Sequence, residues 1–76
     1  MNIMMSIGKA KQMIEHCKKT LPNVYKECAA YATQKTDDPE EYASFFLSRL
    51  HENSVAWFIC LRLLPVPDDF EPADSL

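Results

Sequence analysis

Glycine is almost missing from this 76-residue chain, which contains it only at Gly8. Two-residue hairpin turns depend on residues that accept a positive φ angle, and glycine is the main one. A protein built from β-hairpins is therefore disfavoured. The single glycine also excludes the glycine-rich loops with which many nucleotide-binding proteins hold phosphate.

Cysteine is scarce as well, with three residues at Cys17, Cys28 and Cys60. An odd number without regular spacing does not indicate a disulfide framework. Structural zinc sites usually pair their ligands two to four residues apart, and only the neighbours His16 and Cys17 are close here. We expect reduced thiols packed as small apolar groups, no metal and no cofactor, in a cytoplasmic protein.

Signals for targeting and membrane insertion are also lacking. No basic region precedes an apolar run within residues 1–11, so no signal peptide is predicted. The longest apolar run, residues 55–64, has about half the length that a helix needs to cross a bilayer. We therefore expect a small soluble protein that does not contact a membrane.

Catalytic motifs are the last absence. Cys28 or Cys60 would have to meet His51 in space to form a nucleophilic pair, and no spacing in the sequence indicates that they do. The paired carboxylates near residue 40 are explained by helix capping. A chain this short also has little room for a substrate pocket of several hundred Å³. The expectation is that the protein is not an enzyme.

Helical periodicity is what the sequence does contain. Steps of three and four residues predict an all-α fold, a compact bundle of three to four short helices at about residues 3–21, 23–34, 39–51 and 54–64. An extended, acidic, Pro-containing tail follows at residues 65–76. The first helix begins near Asn2 or is capped by Ser6, and it places six apolar residues on one core face: Ile3, Ile7, Ala10, Ile14, Cys17 and Leu21.

Two local signals divide the second half of the chain. Asp38 is suited to cap a helix that begins at Pro39, with Glu41 three residues after the cap. Residues 51–54 then interrupt the apolar pattern. They are either a polar turn inside one long helix or a break at which Asn53 or Ser54 caps a fourth helix, and the break is the preferred interpretation.

Charge is distributed unevenly along the chain. Residues 1–36 hold six Lys and two Glu, a net charge of +4, whereas residues 37–76 hold two Arg and nine acids, a net charge of −7. One interpretation is that the two halves attract each other across the fold. The other is a basic face that binds nucleic acid through the lysines of the first helix, Lys9, Lys11, Lys18 and Lys19.

Against nucleic-acid binding, no Arg occurs before Arg49, and the isoelectric point is acidic, near 5.2. A protein partner is therefore the leading hypothesis for this chain.

The segment at residues 55–64 is the most informative because its helix would be apolar on every side. A bundle of short helices cannot cover such a helix completely, so one stripe should stay exposed. The stripe should hold Arg62, whose stem can lie on Phe58. The predicted partner-binding patch is Val55, Phe58, Ile59 and Arg62, joined by Phe45 and Tyr42.

An alternative is that the stripe is covered from within the chain. In that case Arg62 pairs with Glu52 or Asp69, and the tail folds over the stripe through Val66 and Phe70. The two arrangements differ in whether the stripe is available to a partner.

The predicted function is therefore a non-catalytic protein-protein interaction module, acting as a regulator, adaptor or inhibitor of a larger partner. A homodimer through the last helix is a natural form of it. In size and acidic charge the chain is similar to small inhibitors encoded by phages and mobile elements, which is an analogy of format only. The alternative function is a nucleic-acid-binding regulator that uses the lysines of the first helix.

Overall fold

The computed structural model describes residues 6–66 and shows a bundle of four helices. They are α1 (Ile7–Thr20), α2 (Pro22–Lys35), α3 (Pro39–His51) and α4 (Ser54–Arg62). Residues 6–66 contain no strand, which confirms the predicted all-α fold. Ile3 and most of the predicted acidic tail lie outside the described residues.

The first two helices are separated by a single residue. Pro22 disfavours helical geometry at the residue before it, and Leu21 accordingly has φ −132° and ψ 68°. At the other end of α1, the hydroxyl of Ser6 accepts a hydrogen bond from the backbone N–H of Lys9 at 3.2 Å. The helix therefore begins at Ile7 with the extended Ser6 as its N-cap, which confirms that alternative, whereas the start near residue 3 is wrong.

The predicted cap of α3 is confirmed, with one difference in its detail. The Asp38 carboxylate accepts a hydrogen bond from the backbone N–H of Glu40 at 2.9 Å. The backbone N–H of Asp38 donates to the hydroxyl of Thr36, the position that a capping-box carboxylate would occupy. Glu41 instead accepts a hydrogen bond from that Thr36 hydroxyl at 2.7 Å.

A break separates α3 from α4, as the preferred interpretation predicts. The side chain of Asn53 accepts a hydrogen bond from the backbone N–H of Ala56 at 3.2 Å and so caps α4. The helix ends at Arg62 rather than at residue 64, because Leu63 adopts the left-handed conformation with φ 55° and ψ 41°. This residue reverses the chain, and Leu64 donates its backbone N–H to the carbonyl of Ile59 at 2.9 Å.

The core joins all four helices and contains no buried polar or charged side chain among residues 6–66. Helix α2 packs most extensively on α3, while α4 packs on α1 and α3. Phe46 and Leu50 of α3 and Met13 of α1 have no exposed surface. Full burial of an apolar side chain of this size stabilises the folded state by about 1.5–3 kcal/mol. These three residues are therefore the main contributors to the stability of the core.

The predicted core face of α1 needs two corrections. Ile7 is 60% exposed because it lies in the first turn of α1, where the groove towards the start of α3 stays open. Met13, which the spacing argument omitted, is completely buried. Ala10, Cys17 and Leu21 are buried as predicted, and Ile14 is partly buried.

The Asp38 cap gives a direct test of the local structure. Replacing Asp38 with Ala leaves a backbone N–H of the first turn without its acceptor, and we expect the free energy of unfolding to fall by about 1 kcal/mol. Asp37→Ala is the matched control because Asp37 precedes the cap residue. Urea denaturation measures both variants, and equal losses would contradict the assigned cap.

Leu63 gives a second test because a branched side chain is disfavoured in the left-handed region. Leu63→Gly should raise the free energy of unfolding by up to about 1 kcal/mol, since glycine adopts this conformation without steric cost. Leu64→Gly is the control, as Leu63 is the one non-glycine residue with positive φ in the described part of the chain. A Leu63→Gly protein that is no more stable than Leu64→Gly would argue against the left-handed assignment.

Candidate functional site

An exposed apolar surface runs along α4. Val55 is 48% exposed and Phe58 is 50% exposed, and Arg62 is exposed on the same face. At about 100° per residue these three side chains lie within an arc of about 60°. The Arg62 guanidinium lies over the Phe58 ring, 4.9 Å from its centroid. Together with Leu64, which is 41% exposed, these residues are called the α4 surface.

An open apolar groove of about 670 Å³ lies beside this surface. It forms because the chain reverses at Leu63 and the following residues return along α4. The groove is lined by Ser54, Val55, Phe58, Ile59, Leu64, Pro65 and Val66. This is the size range of pockets that hold a bound side chain or small molecule.

A hydrogen bond from another helix holds the returning segment in place. The imidazole Nε2 of His16 donates to the backbone carbonyl of Leu64 at 2.7 Å. The hydroxyl of Thr20, one turn further along α1, is within hydrogen-bonding distance of the same ring. Val66 then packs against the core as a partly buried residue. One wall of the groove therefore depends on α1.

The prediction that Ile59 belongs to the exposed patch is wrong, since this side chain is only 4% exposed. The returning segment that begins at Leu64 lies beside it, and Ile59 becomes part of the lining of the groove. The helical wheel could not show this, because the covering residues come after the end of the helix.

Tyr42 and Phe45 do not extend the α4 surface either, which corrects a second part of the prediction. The ring of Phe45 packs edge-on against Tyr31 of α2, with their centroids 6.3 Å apart. The ring centroids of Tyr42 and Phe46 are 6.1 Å apart, and Tyr42 lines a different groove. Both are partly buried against the core because α2 and α3 pack closely.

Glu52, the predicted internal partner of Arg62 that lies within the described residues, pairs with a different arginine. Glu52 forms an ion pair with Arg49 at 3.4 Å, and Arg49 also pairs with Glu27. Within residues 6–66 no ion pair involves Arg62. Asp69 and Phe70 lie outside the described residues. The observed position of Arg62 over Phe58 agrees with the predicted packing of its stem.

A second groove, of about 580 Å³, lies between α1 and the start of α3 and was not predicted. Its lining is Ile7, Lys11, Ile14, Glu15, Pro39, Glu40, Tyr42 and Ala43. The signal that could have indicated it is Ile7, an apolar residue in the first turn of α1. Burial, repulsion from Tyr25 and a hydrogen bond with Tyr25 raise the pKa of the Tyr42 hydroxyl above its usual value of 10.0.

The lysines of α1 do not form one compact basic patch. At about 100° per residue, Lys9, Lys11, Lys18 and Lys19 spread over about half of the helix circumference. Glu15 falls between Lys18 and Lys19 on the same wheel and is exposed. The ammonium of Lys18 also lies 5.9 Å from the centroid of the Tyr25 ring. A phosphate group bound to this face would therefore be repelled by the carboxylate of Glu15, which lies among the lysines.

The residues considered for catalysis or metal binding, His51 and the three cysteines, lie outside the α4 surface. The ring of His51 packs edge-on against Trp57, with centroids 4.8 Å apart. All three cysteines are buried thiols. No cluster of three or more His, Cys, Asp or Glu residues suited to a metal ion occurs in the described part of the chain. None of the four helices is long and apolar enough to span a membrane.

No protein-family model matches this chain, and comparisons with curated proteins and with solved structures find no similar protein.

The raised pKa of Tyr42 predicts a pH dependence. Because the folded-state pKa exceeds the unfolded value, Tyr42 contributes stability below about pH 10 that is lost as the pH rises through the raised pKa. Tyrosinate absorbance titration should show a component above 10.0 that disappears in Tyr42→Phe. Tyr31→Phe is the control and should keep this component, and its loss there would contradict the assignment.

Proposed function

We propose that this chain is a non-catalytic protein-protein interaction module and that the α4 surface is its binding site. It acts as a regulator, adaptor or inhibitor of a larger protein. The observation that carries this proposal is the half-exposed ring of Phe58, covered by the Arg62 guanidinium and bordering an apolar groove. Aromatic rings and arginines of this kind are enriched among the residues that dominate binding energy.

The distribution of exposed apolar residues supports the choice of surface. Five large apolar side chains are exposed among residues 6–66, and four of them, Val55, Phe58, Leu63 and Leu64, lie on α4 or directly after it. Scattered exposed apolar residues are normal in proteins, but a contiguous group indicates an interaction site. Ile7 is the exception and lies at the second groove.

The chemistry of the surface also describes a suitable partner. An apolar side chain of the partner would enter the groove and bury the exposed half of Phe58, while an acidic group would meet Arg62. Because the guanidinium already lies on the ring, little side-chain freedom is lost when that ion pair forms. The net charge of the chain is −3 at pH 7, which would favour a partner with basic regions around the contact.

A second copy of the chain offers the apolar side chain and the acidic group, although not a basic surrounding surface, and we include a homodimer in the proposal. An antiparallel pairing of α4 about a two-fold axis at Phe58 puts Arg62 opposite Ser54, since both are four residues from Phe58. Ser54 also borders a polar cleft that contains Glu52, whose side chain is 66% exposed. Two glutamates, Glu27 and Glu52, and one arginine, Arg49, line this cleft, so the end of the surface near Ser54 has a net negative charge opposite to that of Arg62.

A cytoplasmic location is part of the same proposal and is supported by three cysteines that remain thiols. Nucleic-acid binding through α1 is the competing function. It predicts binding to duplex DNA that weakens steeply as salt increases, and it predicts no dependence on Phe58.

Phe58→Asp tests the proposed site. The charge would be buried in the contact, so we expect at least a tenfold loss of affinity, equivalent to about 1.4 kcal/mol or more. Sedimentation equilibrium measures self-association, and affinity capture from the native lysate, with and without nuclease, measures binding of another protein. Circular dichroism verifies that the variant is folded.

Ile7→Asp is the matched control because it places the same charge on an exposed apolar residue at the other groove. It should leave both measurements unchanged. A folded Phe58→Asp protein with wild-type self-association and capture would refute the α4 surface. Loss with Ile7→Asp alone would move the site to the second groove, and loss of capture on nuclease treatment would favour nucleic acid.

A further inference from the structure

One side chain of α1 is hydrogen-bonded to the segment that follows α4. The imidazole Nε2 of His16 donates to the backbone carbonyl of Leu64 at 2.7 Å, across 48 positions of the chain. A carbonyl oxygen can only accept, so Nε2 carries a proton. The Thr20 hydroxyl lies 3.5 Å from the other ring nitrogen, Nδ1, and favours the same ring orientation. The contact therefore joins the first helix to the last residues of the described chain.

Leu64 is thereby attached to two helices at once. Its backbone N–H donates to the carbonyl of Ile59 in α4 at 2.9 Å, while its own carbonyl accepts from His16 in α1. Pro65 follows, and a proline has no backbone N–H and restricts the residue before it to extended geometry. The path of the returning segment therefore depends on the two hydrogen bonds of Leu64 and on the partial burial of Val66.

The returning segment forms one wall of the groove beside the α4 surface. Leu64 and Val66 line this wall, whereas Val55 and Phe58 line the groove from α4 itself. Ile59 also lines the groove and is only 4% exposed. The groove that would receive an apolar side chain of a partner therefore exists only while the returning segment is held beside α4.

We propose that His16 is a positioning residue for the α4 surface, which acts by holding Leu64 rather than by contacting the partner. This inference rests on the proposed function of that surface. A groove that is formed before the partner arrives lowers the cost of ordering the segment on binding. Where the segment is attached in only a fraction of the molecules, the apparent affinity falls by that fraction.

The size of the effect follows from the strength of one hydrogen bond. At a site that water can reach, a hydrogen bond has a modest net value because both groups bind water when they separate. Losing it lowers the ratio of attached to detached segment by about two- to tenfold, which limits the loss of affinity to about tenfold. The loss expected from Phe58→Asp is larger because that substitution changes the contact surface itself.

Three variants separate the hydrogen bond from the other properties of the side chain. His16→Ala removes the donor. His16→Gln keeps an N–H donor at the end of a side chain of similar reach, so it should restore the wild-type behaviour. Gln12→Ala is the matched control, because Gln12 is exposed one turn before His16 on the same helix.

The first measurement is NMR relaxation of the full chain, and it requires no partner. The order parameters of the Leu64 and Val66 amides should fall in His16→Ala, recover in His16→Gln and keep their wild-type values in Gln12→Ala. The amide of Phe58, inside α4, is the internal reference and should not change in any variant. Circular dichroism verifies that each variant is folded.

The second measurement is binding, by sedimentation equilibrium for self-association and by affinity capture for another protein. Affinity should fall by about two- to tenfold in His16→Ala and return in His16→Gln. Unchanged order parameters at Leu64, an equal fall at Phe58, or unchanged binding despite a detached segment would each overturn the positioning role.

The same assays distinguish this failure from a failure of the proposed function. If Phe58→Asp leaves binding unchanged, the α4 surface is not the site, and the positioning role fails with it. If Phe58→Asp abolishes binding and His16→Ala leaves it unchanged, only the positioning role fails.

Discussion

The burial of one side of α4 is the constraint on which the rest of the structure depends. Ala56, Ile59 and Cys60 are removed from water by α1, α3 and the returning segment, and they complete a core that contains no buried charge in the described residues. A short chain cannot cover both sides of an apolar helix. The opposite side, with Phe58 at its centre, is therefore left exposed by the same packing that stabilises the bundle.

Local backbone features at the two ends of α4 determine which of its residues are buried. The Asn53 cap separates α4 from α3 and lets the two helices pack as independent elements. The left-handed Leu63 ends α4 and turns the chain back, so that Leu64 reaches His16 and Val66 reaches the core. Without that reversal, Ile59 would lose its cover and the groove beside Phe58 would lose one wall.

The sequence by itself determined the class of fold and most helix boundaries. Pro22, Asp38 with Pro39, and Asn53 act through hydrogen bonds and steric limits within a few residues, so their effects could be predicted without knowledge of the fold. The exposure of Val55, Phe58 and Arg62 followed from a second local fact, a helix with more apolar surface than its neighbours can cover.

Only the tertiary structure decided how these elements share their surfaces. Ile59 is buried and Ile7 is exposed because burial depends on which distant segment lies beside each residue. Tyr42 and Phe45 lie away from the α4 surface because of the packing of α2 on α3. Cys17 and Cys60, which lie on the first and the last helix, are buried in the same core. Periodicity shows which residues share a face of a helix. Which segment covers that face depends on contacts between residues that are far apart in the chain.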